Sequence, residues 1–223
     1  MFIGHIAVAL AAKKAAPKTS LGTLFISVQF VDLLWPVMLL LGLEHVRINP
    51  GDTVVTPLDF FDYPITHSLV GAIGWSVGLG LLYFTIRRYK RGAAIVGLGV
   101  FSHWILDLIT HRPDLSLGLG GDVFFGLGLW NSFAGTIVVE VAFLAIGVLL
   151  YLRSTNSKDR IGVYAFWALI VTFVLLYLAN LFGPPPPSET AIGFAGLATW
   201  LFVGWAYWVD KHRTTVESVA DAK

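Results

Sequence analysis

Three histidines and two aspartates, His5, His67, His103, Asp32 and Asp107, lie in or beside the first apolar segments of a strongly hydrophobic chain. A lone carboxylate at the centre of a bilayer costs about 2.5–3.5 kcal/mol on insertion scales, so ionisable groups kept there face a protein interior and keep a partner. Two acids among three imidazoles supply what a divalent cation requires. With no cysteine in the sequence, nitrogen and oxygen must hold any such metal. That donor set suits zinc, as one or two ions, and also admits manganese or magnesium.

The densest stretch is GVFSHWILDLITHRPD, where His103, Asp107 and His111 follow one another at intervals of four. Residues so spaced stack along one helix face and can point into one crevice. Taken alone, the stretch is equally compatible with a His–Asp pair that stitches helices together. Asp32 lies mid-segment in QFVDLLWP, where Pro36 lacks an N–H, so a kink at the proline is expected to open space. A protonated acid or a proton relay is the alternative there. His67, in DYPITHSLVG, and His5, in a short N-terminal helix, are either ligands or interfacial histidines. Glu140, in LWNSFAGTIVVE, is the last intramembrane acid: a ligand or general base, or else a protonated partner of a neighbour. Asp107, His111 and Glu140 are the candidate catalytic groups. Asp62 and Asp114 are expected to be solvated, and Arg112 to neutralise a phosphate or anchor the interface.

The elements that must position these residues follow from composition. The 223 residues are 56% hydrophobic and 13% charged, against roughly one quarter charged in soluble domains, and the mean hydropathy is +0.75. This predicts an all-α, polytopic membrane helical bundle. Apolar runs long enough to cross a bilayer occupy residues 21–43, 65–86, 93–110, 130–152, 161–182 and 191–209. They make about six transmembrane helices, preceded by a short N-terminal helix that lies at the interface or packs into the bundle. Residues 1–153 form the metal-bearing bundle, 154–210 a two-helix extension whose spans carry no acidic or basic residue and read as scaffold, and 211–223 a polar, solvated tail. Pro184 to Pro187 link the last two spans. The glycine-rich stretch 116–129 matches no phosphate-binding fingerprint and reads as a flexible connection, with a lid as the alternative.

If the N-terminus is cytoplasmic, all but Arg47 and Arg112 of the 15 lysines and arginines fall on the inner side, as the positive-inside rule requires. Both termini are then cytoplasmic. The formal net charge of +1, without a basic stripe, argues against nucleic acid as a partner.

The order His5, Asp32, His67, then His103-x-x-x-Asp107, in GHIAVA, FVDLLWP, THSLVG and SHWILDLITHRPD, resembles the inner-membrane metal-dependent hydrolase family (DUF457) over about residues 1–150. It is also similar in motif order to zinc-dependent phospholipase C and the S1/P1 nucleases. The second resemblance implies that Asp32, His67, His103 and Asp107 hold one metal and that Asp107 bridges to a second held by His5. An N-terminal amine also binds metal in those enzymes, a contact put in question here because Met1 precedes His5 by four residues. No later His-x-x-x-acid motif exists, so a mononuclear or dinuclear site is expected. The resulting expectation is a hydrolase of the bacterial inner membrane that attacks a phosphoester or lipid-linked phosphate with a metal-activated water. A transporter or channel using Asp32, Asp107 and Glu140, and a protein merely pinned by metal, are the competing readings.

Overall fold

The computed structural model of the protein describes residues 1–121 and 123–216, so Asp122 and the end of the polar tail lie outside the described residues. The chain runs α1 (Ile3–Ala15), α2 (Leu21–Val28), α3 (Phe30–Leu40), a hairpin of β1 (His45–Ile48) and β2 (Leu58–Asp62), α4 (Pro64–His67), α5 (Leu69–Arg87) and α6 (Lys90–Thr110). It continues through β3 (Leu115–Ser116), β4 (Phe124–Phe125), α7 (Phe133–Ser154), β5 (Thr155–Ser157), α8 (Arg160–Phe182), α9 (Glu189–Leu197), α10 (Trp200–Lys211) and β6 (Arg213–Thr215).

Among the described residues, five helical stretches are long and apolar enough to cross a membrane: α5, α6, α7, α8 and the α9–α10 unit. The bent pair α2 and α3 makes a sixth if it counts as one span. Burial is inverted relative to a soluble protein. Leu81, Leu98, Val138, Leu149, Leu175 and Leu201 point outward, while His103, Asp107, Thr110, Thr136 and Glu140 are buried. Serine caps recur at the helix starts, with Ser68 accepting from Gly71 N–H and Ser132 from Gly135 N–H.

The 13 residues of α1 span about 20 Å, too short for a hydrocarbon core of about 30 Å. The helix is packed inside the bundle instead, burying His5, Ile6, Ala9 and Leu10. Its closest neighbour is α7, where a Cβ on Gly147 would stand 2.5 Å from the Ala7 carbonyl oxygen. Only glycine lets the two backbones approach so closely, and this approach carries His5 into the interior.

Two local expectations need correction. The bend of 56° in the first apolar segment falls between α2 and α3, at Gln29, and not at Pro36, which sits within α3. Gln29 adopts φ −93° and ψ 8°, and its N–H reaches the carbonyls of both Phe25 and Ser27, so the helix tightens and turns there. The tail also begins less solvated than its polarity suggests. Antiparallel β5 and β6 pair, and Arg213 is buried, donating to Thr155 Oγ1, Ser157 Oγ and the carbonyls of Thr155 and Gly162. Its guanidinium lies 5.2 Å from the Tyr151 and Phe166 rings. Arg213→Ala strands these acceptors, so a loss of about 2–3 kcal/mol is expected in detergent unfolding titrations.

The glycine-rich stretch forms a small antiparallel pair, β3 with β4, followed by a 3₁₀ turn over Leu129–Asn131. The hairpin β1–β2 and this pair bring buried Val46 and Leu115 into one apolar cluster with Trp35 and Tyr63.

Candidate metal centre

Four helices deliver the five predicted ligands to one place. α6 supplies His103 and Asp107 one turn apart, α1 supplies His5, the first turn of α3 supplies Asp32, and the short helix α4 ends on His67. His103 Nε2 lies 3.1 Å from Asp107 Oδ2 and 3.4 Å from Asp32 Oδ1. His67 Nε2 is 3.4 Å from the same Asp32 oxygen and 3.9 Å from Asp107 Oδ2. On the other side of Asp107, His5 Nε2 stands 3.0 Å from Oδ1. The rings of His5 and His103 are stacked with centroids 3.7 Å apart.

The hydrogen-bond partners fix which nitrogen of each ring carries the proton. His103 Nδ1 donates to the carbonyl of Val28, the last residue of α2, at 2.7 Å. That leaves its Nε2 with a lone pair if the ring is neutral. Thr66 N–H and O–H both donate to Glu44, at 2.8 and 2.7 Å, so the Thr66 oxygen is free to accept from His67 Nδ1 at 2.7 Å. His67 therefore also presents Nε2 as an acceptor. His111 repeats the pattern: its Nδ1 donates to Asp114 at 3.0 Å, and Nε2 points back to Asp107 Oδ1 at 3.9 Å.

Lone pairs of neutral imidazoles thus confront carboxylate oxygens, acceptor against acceptor, in a buried place. His103 Nε2 is buried and has no hydrogen-bond partner, a need that a cation held between the groups would meet. A tetrahedral ion with bonds of about 2.0–2.1 Å places its ligand atoms about 3.3 Å apart, and the 3.1 and 3.4 Å separations around His103 fit that spacing. Two sets of atoms lie within 4.8 Å of one another, His5 with His103 and Asp107, and Asp32 with His67 and His103. Asp107 turns one oxygen toward each side, so its carboxylate is oriented to bridge. The residues present fit one or two divalent ions.

Other predicted residues have different tasks. Glu140 is fully buried, but its two oxygens accept from the N–H groups of Phe2 and Gly4, each at 2.7 Å. It caps the N-terminus of α1 from α7 and so holds His5 in place, and it lines the same cavity as Asp32 and His67. Asp114 is buried, not solvated, and accepts from both His111 and Tyr63 O–H, the latter at 2.9 Å. Asp62 is exposed and pairs with His45. Arg112 is surrounded by Asp52, Asp59 and Asp114, which neutralise it and remove it as a phosphate clamp. The Met1 amine lies 2.5 Å from Asp107 Oδ1 and 3.0 Å from Thr110 Oγ1, so it adds a positive group beside the site.

A cavity of about 290 Å³ adjoins this centre, lined by Asp32, His67, Asp107, His111 and Glu140 together with mostly apolar side chains of α2, α3, α8 and α10. The Asp32 side chain is 36% exposed, against 3% for Asp107, so Asp32 is the more open of these two carboxylates toward the cavity. Comparison of the chain with family models, with curated proteins and with solved structures finds no match.

Proposed function

We propose that the protein is a membrane-embedded, metal-dependent hydrolase acting on a phosphoester or a lipid-linked phosphate. The observation that carries this reading is the set of Nε2 lone pairs of His103 and His67, held by outer hydrogen bonds against Asp32 and Asp107 at the edge of a cavity. The resemblance in motif order to the inner-membrane metal-dependent hydrolases supports it.

Asp32, His67, His103 and Asp107 Oδ2 would hold one divalent ion, zinc by the balance of donors. Asp107 Oδ1 and His5 would hold a second. When bound, such an ion supplies a Lewis acid and lowers the pKa of a water toward about 7, and a pair can stabilise both oxygens of an in-line displacement. The chain's own contribution is positioning. Val28, Thr66 and Glu44 hold the imidazoles in the tautomers that present Nε2. His111, backed by Asp114 and packed 4.1 Å from the Trp130 ring, faces the cavity and is placed to accept a proton at Nε2 from an attacking water. Among the described residues no lysine or arginine lines the cavity. An anionic substrate therefore depends on bound cations, with help only from the Met1 amine.

The transporter reading has less support, since it needs Glu140 to exchange protons or ions, and Phe2 and Gly4 occupy both of its oxygens. The distribution of basic residues supports an orientation with both termini cytoplasmic, and the resemblance in motif order suggests the bacterial inner membrane. Because the sequence lacks cysteine, single cysteines at exposed Asn49 and Asn156 report topology directly. A membrane-impermeant maleimide is expected to label the first in intact cells and the second only after lysis; the reverse pattern contradicts this orientation. The functional test is a panel of phosphoesters and pyrophosphates presented to purified, metal-loaded protein with and without chelator. Chelator-sensitive turnover is expected, and its absence across the panel rejects the hydrolase.

A further inference from the structure

Sequence alone marks the last two spans as scaffold, yet they build much of the cavity beside the metal centre. α8 contributes Phe173, Leu176 and Tyr177, and the α9–α10 unit contributes Gly196, Thr199 and Phe202. Facing them are Phe25 of α2 and Leu33 and Pro36 of α3, on the same helices that hold Val28 and Asp32. A catalytic site meant for a small water-soluble phosphate has no use for such a wall, because apolar surface left in contact with water costs about 25 cal/mol per Å². The ionisable groups that could recognise a head gather at Asp32, His67, Asp107, His111 and Glu140; Gln29, Asn180 and Thr199 add neutral polar groups elsewhere on a mostly apolar wall, and no lysine or arginine is among the lining residues described. One cavity thus joins a cation-dependent anion site to an apolar chamber, the pattern expected for an amphiphile.

We propose that the chamber between α8, α10 and the α2–α3 unit binds the hydrocarbon chain of the substrate, and that the C-terminal spans thereby select a lipid phosphate over a soluble one. This rests on the hydrolase reading for the headgroup but is tested by binding as well as turnover. Thr199, in the short break between α9 and α10, and Leu176, 39% exposed on α8, are the specificity-determining positions. Both line the chamber and neither is in the ligand set.

The test uses full-length, metal-loaded protein in nanodiscs and two nonhydrolysable probes, dodecyl phosphonate and methyl phosphonate. Wild type is expected to bind the dodecyl probe at least tenfold more tightly. Thr199→Trp, which fills the chamber from α10's side, and Leu176→Trp, which fills it from α8, are each expected to erase that preference while retaining wild-type metal content. Equal binding of the two probes by wild type, or an undiminished preference in both tryptophan variants with metal retained, overturns the proposal. If the dodecyl preference holds and disappears in the variants but no phosphoester is turned over, the chain-binding chamber stands and the hydrolase reading falls. If short and long phosphoesters are hydrolysed alike and the variants change neither, the hydrolase stands and the chamber falls.

Discussion

Asp107→Ala is expected to abolish stoichiometric binding of divalent metal and, with it, all metal-dependent turnover. Asp107 is 2% exposed and sits at the centre of the cluster, one oxygen toward His103 and His67 and the other toward His5 and His111. Removing it deletes a carboxylate whose two oxygens face the two halves of the site. It also leaves the Met1 amine without its carboxylate partner. The expected fall in metal affinity exceeds the roughly 10–100-fold that follows loss of an outer hydrogen bond. Inductively coupled plasma mass spectrometry of the purified variant, checked for folding by size-exclusion chromatography, reads the result. A folded Asp107→Ala protein that keeps wild-type metal content shows that the carboxylate is structural.

The second large effect is expected one bond further out. Thr66→Val deletes the hydroxyl that links Glu44 to His67, although the valine has nearly the same shape. Glu44, at 0% exposure, then keeps only the Thr66 N–H, and His67 Nδ1 loses the acceptor that directs its Nε2 toward Asp32. Metal affinity is expected to drop about 10–100-fold, and Thr66→Ser is expected to restore most of it by returning the hydroxyl. Competition titrations with a chromophoric chelator measure both variants. Equal affinity in Thr66→Val and wild type removes the outer hydrogen bond from the account.

The buried His–Asp cluster was legible because its chemistry is incompatible with its surroundings. His103 and Asp107 are costly in an apolar segment unless they meet partners, and their spacing of four already places them on one helix face. The helices were equally legible, since hydropathy over some twenty residues does not depend on tertiary context. What could not be read was which oxygen meets which nitrogen. Glu44 and Thr66 are 22 residues apart, and Glu140 meets Phe2 across 138 residues. In the sequence, Glu44 and Asp114 look like loop acids no different from Asp62, yet the hairpin β1–β2 and the pair β3–β4 accompany the burial of the first two and leave Asp62 exposed. The bend at Gln29 carried no proline or glycine to announce it, whereas Pro36 did and was absorbed into α3. Thr66, directly before His67, was the one local signal for an outer partner, because a hydroxyl beside a ligand histidine is well placed to hold its second nitrogen.

X-ray absorption spectroscopy at the edge of the bound metal tests the shared coordination most directly. The wild-type protein loaded with zinc is expected to show a first shell of nitrogen and oxygen at about 2.0–2.1 Å, with imidazole scattering that weakens in His103→Ala. A first shell of oxygen alone, unchanged by that substitution, contradicts the convergence of Asp32, His67, His103 and Asp107 on a common ion.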